Sequence, residues 1–134
     1  MNTTILLVDD DPDDVFLLSD AFRSADPTRE VVEAYDGDAA LQLLDEMYRR
    51  KVVPDLIVLD INMPVLDGRE VLRILKSTDR YKDIPVVVYT TSSNSFDRLH
   101  CDQYNVELIT KPSTLQSINL AVQSMLQYCK KPAA

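Results

Sequence analysis

The chain has 134 residues, 46% of them hydrophobic and 27% charged, which suits one folded domain and excludes both a two-domain protein and a disordered, low-complexity one. Twenty-two acidic against 14 basic residues leave a formal net charge of −8, so no broad cationic surface is expected for nucleic acid or an anionic membrane, and no apolar run approaches the ~20 residues of a membrane span. Residues 1–4 lack the basic start of a signal segment, and Cys101, Cys129 and the single His100 match neither a disulfide framework nor a zinc set, so a cytoplasmic protein with reduced, structural thiols is expected.

Short apolar runs alternate with longer amphipathic ones, the pattern of β-α units around a parallel sheet. Residues 5–8 read as the first strand. Asp11 then caps a helix with Pro12 at its first position and Val15, Leu18 and Phe22 as its apolar stripe; Phe16 is also assigned to the core. After a second strand at 31–34, Asp36 or Gly37 opens a helix carrying Ala39, Ala40, Leu43, Leu44 and Met47. The third strand is 56–59, and the stretch from Asp67 to Glu70 reads as a capping-box variant ahead of Val71, Leu72 and Leu75.

A fourth strand at 86–89 precedes a helix at about 94–103 whose only large aliphatic or aromatic residues before Tyr104 are Phe96 and Leu99; weak anchoring and local mobility are expected there. The fifth strand is 108–109, and the stretch from Ser113 to Gln116 reads as another capping-box variant before Leu115, Ile118, Val122 and Met125. Strands one, three and four are almost wholly Val, Ile and Leu, as expected of strands covered on both faces. One domain is expected over 1–129, with 130–134 as a frayed tail.

Asp9 and Asp10 follow the first strand, Asp60 the third, Thr90 the fourth and Lys111 the fifth. In a parallel sheet those carboxyl ends share one edge, and open α/β sheets bind ligands at that edge where the strand order reverses. Carboxylates gathered there repel, since two unit charges ~4 Å apart at an effective dielectric of ~20 cost ~4 kcal/mol. An all-oxygen site of this kind suits a hard cation, and Mg²⁺, which takes one or two carboxylates and keeps its waters, fits best. A carboxylate beside such a cation, a lysine and a threonine hydroxyl is a workable nucleophile for phosphoryl transfer. Asp11, Asp13 and Asp14 occupy a cap and a first turn and read instead as solvated acids that favour the helix dipole, and His100 reads as an exposed helix residue.

The segments Ile-Leu-Leu-Val-Asp-Asp at 5–10 and Asp-Leu-Ile-Val-Leu-Asp-Ile-Asn-Met-Pro at 55–64, with Asp67-Gly68, Thr90 five residues after Pro85, and Lys111-Pro112, resemble the receiver domains of two-component response regulators over essentially the whole chain. The resemblance implies a flavodoxin-like α/β fold, doubly wound around a five-stranded parallel sheet in the order 2-1-3-4-5. It implies Asp60 as phospho-acceptor, Asp9 and Asp10 as metal-site acids beside Asp60, Asn62 as the donor of a backbone carbonyl to Mg²⁺, and Thr90 and Lys111 as phosphoryl ligands. It implies a sensor histidine kinase or phosphotransfer protein as donor, a downstream protein or a second copy of the chain as target, and a cis peptide at Lys111-Pro112. Thr-Thr-Ser-Ser at 90–93 and Ile-Thr-Lys-Pro at 109–112, with no output domain expected, resemble the stand-alone, chemotaxis-type receivers that serve phytochrome-type kinases.

Three positions depart from that pattern. Leu108 replaces the usual aromatic three residues before the lysine, so output is expected through the backbone after Thr90 toward the 94–103 helix, the fifth strand and the last helix; Thr91 and Ser92 replace a smaller and a longer residue. Two other functions compete. A magnesium-dependent aspartyl-phosphate phosphohydrolase would use Asp60 as nucleophile, but Asn62 stands where such enzymes usually carry a second Asp. A pseudo-receiver acting only as an interaction surface requires a missing site residue, and every site residue is in place.

Overall fold

Strand β3 (Leu56–Leu59) is apolar and buried at all four positions, because it lies mid-sheet with helices on both faces. Its neighbours are β1 (Thr3–Val8) and β4 (Val86–Thr90), with β2 (Arg29–Ala34) and β5 (Glu107–Thr110) at the edges, giving the order β2-β1-β3-β4-β5 with every pair parallel. This is the expected doubly wound, flavodoxin-like receiver architecture. The computed structural model describes residues 3–91 and 94–129. Ser92 and the 130–134 tail therefore lie outside the described residues.

Alternation along the strands divides the core in two. Ile5, Leu7, Leu56, Val58, Val87 and Tyr89 face helices α1 (Pro12–Ala25) and α5 (Leu115–Leu126), where Val15, Leu18, Phe22, Ile118, Val122 and Met125 meet them. Leu6, Val8, Ile57, Leu59 and Val88 face the opposite way, toward α2 (Gly37–Arg49), α3 (Gly68–Ser77) and α4 (Ser95–Gln103). Burying each Leu, Ile or Phe contributes roughly 1.5–3 kcal/mol, so the sheet edge that carries the polar residues rests on a rigid base. No helix among the described residues is long and apolar enough to cross a membrane.

The caps follow the sequence with one shift. Asp11, Asp36 and Asp67 each accept backbone N–H bonds from the first turn of their helices. At α5 the cap is Thr114, which accepts from the Ser117 N–H, and not Ser113. Both residue types serve as N-caps, and the hydroxyl one position later is the one in register with the first turn.

Three other expectations are corrected, and α4 has even less apolar anchoring than the sequence suggests. Phe16 is 69% exposed: it follows Val15 on α1, about 100° round the helix from the stripe that faces the sheet. On α4, Phe96 and Leu99 are 70% and 67% exposed, and the buried residues are Asp97 and Cys101, so the helix is held by a charge as well as by apolar packing. His100 is half-buried with its ring edge-on to Tyr104 at 5.3 Å, rather than exposed. Lys111-Pro112 is trans, since no cis peptide occurs among the described residues. Cys101 and Cys129 are free and buried, and burial pushes the Cys101 thiol up to about 11, which makes it unreactive.

Candidate functional site

The strand ends bring Asp9, Asp60, Thr90 and Lys111 to one edge by backbone hydrogen bonding. The Asp9 N–H donates to the Ala34 carbonyl at 3.1 Å, Asp60 to Val8 at 2.9 Å, and Lys111 to Thr90 at 2.9 Å. The ladder thus extends one residue past β1, β3 and β5 and fixes where each side chain starts. Asp9 and Asp60 end adjacent strands, and the chain order reverses between β1 and β3, the switch point where such sheets hold ligands. Asp9, Asp60 and Thr90 are buried, while Asp10 and Asn62 are exposed at the rim.

Carboxylate oxygens of Asp9, Asp10 and Asp60 lie within 4.8 Å of one another. Lys111 reaches into the cluster: its Nζ donates to Asp9 Oδ2 at 2.7 Å, Asp14 Oδ2 at 2.8 Å and Asp60 Oδ2 at 3.3 Å. One ammonium therefore faces three hydrogen-bonded carboxylates, with Asp10 as a fourth acid beside them. Burial pushes Asp9 up to about 6, against the opposing pull of its Lys111 and Asp11 N–H hydrogen bonds. Burial also opposes the charge on Lys111, but its bonds to Asp14 and Asp9 and the charges of Asp60 and Asp9 outweigh that and hold its pKa above the ordinary lysine value. A buried, all-oxygen cluster with surplus negative charge fits a hard divalent cation.

The loop after Asp60 is held against the Asp60 backbone. The Asn62 N–H approaches Asp60 Oδ1 at 3.4 Å, and the Gly68 N–H donates to the Ile61 carbonyl at 2.8 Å. A Cβ on Gly68 would sit 2.0 Å from the Asp60 carbonyl oxygen, so only glycine lets the start of α3 approach this closely. The next residue, Arg69, spans to α4 and binds Asp97 Oδ1 from Nη2 at 2.6 Å and from Nε at 2.8 Å. Leu108 is half-buried on β5 and packs against the core on the α4 side of the sheet.

All six residues named from the sequence lie at this edge: Asp9, Asp10, Asp60 and Lys111 form the cluster, Thr90 ends the neighbouring strand, and Asn62 lies two residues beyond Asp60. One participant was missed. Asp14 belongs to the cluster and is not merely solvated; the available signal was its place in the first turn of a helix that starts directly above Asp9. The Arg69–Asp97 pair, which anchors α4 and lies outside the cluster, was also missed; nothing in the local sequence around Asp97, between Phe96 and Arg98, marks it as buried.

The sequence matches the response regulator receiver domain family over residues 5–123. The chain is a response regulator receiver domain. It is thus a signalling domain of the kind that takes a phosphoryl group on an aspartate. Response regulator Rcp1 of Synechocystis sp. is 36% identical over 124 residues, spanning 90% of this chain and 84% of Rcp1. The crystal structure of the phosphorylated cyanobacterial phytochrome response regulator RcpA superposes with a TM-score of 0.87 at 36% identity, covering 99% of this receiver and 100% of RcpA. The Mn²⁺-bound form of Rcp1 gives 0.85 at 35% identity over 98% and 99% of the two chains.

Proposed function

We propose that Asp60 is the phospho-acceptor of this receiver, that Asp9, Asp10, Asp60 and the Asn62 backbone carbonyl hold Mg²⁺, and that Thr90 and Lys111 bind phosphoryl oxygens. The observation that carries this is Lys111 Nζ within hydrogen-bonding distance of both Asp9 and Asp60, at the strand ends where the order reverses. The cation, when bound, neutralises charge on the phosphoryl oxygens and on the acids. The chain's own residues do the rest. Asp60 presents a carboxylate oxygen to phosphorus, the P–O or P–N bond to the donor breaks, and an acyl phosphate forms. Lys111 and the Thr90 hydroxyl orient the transferred oxygens, and the backbone around Gly68 keeps Asp60 from retreating.

The donor is a sensor histidine kinase or phosphotransfer protein, of the phytochrome type by likeness to RcpA and Rcp1. The chain acts as a switch in the cytoplasm, with one receiver unit over 1–129, and not as a multiple-turnover hydrolase. Output runs from Thr90 and Lys111 to the face formed by α4, β5 and α5, and from there to a separate protein or a second copy. Phosphotransfer from a panel of autophosphorylated histidine kinases tests this: the wild type is labelled only with a divalent cation, and Asp60→Asn takes no label because an amide is a poor nucleophile. Wild-type labelling of Asp60→Asn would remove Asp60 from the role.

A further inference from the structure

Lys111 has three N–H donors, and three carboxylates use them. Two of these acids belong to the proposed metal and acceptor set; the third, Asp14, comes from α1 and has no part in it. The side chain of Asp14 is 34% exposed, against 10% for Asp9 and 7% for Asp60. Its 2.8 Å bond to Nζ is nonetheless shorter than the 3.3 Å bond from Asp60. Asp14 and Lys111 also share the wall of a 210 Å³ cavity between α1 and the start of α5, lined further by Leu17, Tyr89, Pro112 and Leu115.

We propose that Asp14 is a positioning residue that competes with the phosphoryl group for the charge of Lys111. The proposal rests on Asp60 being the acceptor. A phosphoryl group inherits the longest of the three bonds, the one to Asp60, and brings a charge of about −1.5 to −2 to the cluster. The metal draws on Asp9. The acid left to neutralise Lys111 is then Asp14, and a phosphoryl group arriving beside it meets an ammonium already matched. Asp14 thereby holds Lys111 aimed at the site in the resting chain and weakens the phosphorylated state. Without the carboxylate, the full charge of Lys111 falls to the phosphoryl group.

Beryllium fluoride with Mg²⁺, titrated by calorimetry into the intact chain, serves as the phosphoryl probe. Asp14→Asn should bind the fluoride complex about tenfold more tightly than the wild type, equivalent to about 1.4 kcal/mol. Asp14→Glu, which keeps the charge, should stay near wild type. Asp13→Asn removes the same charge from the same helical turn, but from a side chain for which no bond to Lys111 is seen, and should change affinity far less. A purely structural role for Asp14 would lower thermal stability and leave fluoride affinity alone. Unchanged or weaker binding by Asp14→Asn, or an equal gain in Asp13→Asn, overturns the proposal. Failure of the wild type to bind the complex would instead remove the acceptor reading, and this inference with it.

Discussion

Lys111 and Arg69 are both drawn to buried carboxylates, and they are matched differently. Lys111 sits at the sheet edge against Asp9, Asp14 and Asp60, one positive charge to three acids. Arg69 crosses from α3 to α4 and meets Asp97, which is wholly buried, with Asp67 more distant at 3.6 Å. The first arrangement is left with surplus negative charge, which a divalent cation relieves. The second is closely balanced and works as an anchor for a helix whose Phe96 and Leu99 face solvent. The contrast separates two kinds of buried charge: the unmatched cluster is the one proposed to carry the chemistry, and the balanced pair holds a helix in place.

The largest effect should come from Lys111→Met. Leaving Asp9, Asp14 and Asp60 without the ammonium should cost about 3–5 kcal/mol in the metal-free protein at neutral pH, the range for breaking a buried pair. Mg²⁺ should recover part of that loss, and urea denaturation with and without Mg²⁺ measures both. Asp97→Ala should cost about 2–3 kcal/mol, less because the orphaned Arg69 is partly exposed and can turn to solvent. Here the loss should be the same with and without Mg²⁺. If Mg²⁺ rescued both variants equally, the distinction between the two regions would collapse.

A smaller effect follows from Asp9, whose pKa is pushed from 3.8 to about 6 by burial. The folded chain holds this proton more tightly than the unfolded one, so the contribution of Asp9 to metal-free stability is full below about 4 and is lost as pH rises through about 6. A metal requires the carboxylate, so protons compete with it. Mg²⁺ affinity should therefore fall by up to about tenfold per pH unit below about 6. Calorimetric titrations between pH 5 and pH 8, at roughly half-unit steps, measure this. A flat profile would mean that Asp9 is not a ligand.

Much of this was legible in the sequence because the signals are local and periodic. The runs at 5–8, 56–59 and 86–89 are apolar enough to demand burial, and Asp11-Pro12, Asp36-Gly37 and Asp67-Gly68 announce helix starts. The convergence of the proposed site residues was legible because parallel strands send their carboxyl ends to one edge. What escaped depends on rotation and reach. Phe16 and Val15 differ by one helical step, and that step decides burial. Asp14 looks like any first-turn acid until the length of Lys111 is seen to span the gap to it. Asp97 reads as a surface residue on a polar helix, and its burial becomes visible only once Arg69, 28 positions earlier, is set opposite it.

In the proposed mechanism the phosphoryl group lands on Asp60, inside the cluster of Asp9, Asp10 and Lys111. The most direct measurement is to treat the intact wild-type chain with acetyl phosphate, with and without Mg²⁺, trap the acyl phosphate by reduction, and locate the altered residue by peptide mass spectrometry. The expected result is a single modification at Asp60 that appears only with the divalent cation. Modification at another carboxylate, or equal modification of Asp60 after the metal is chelated, would contradict it.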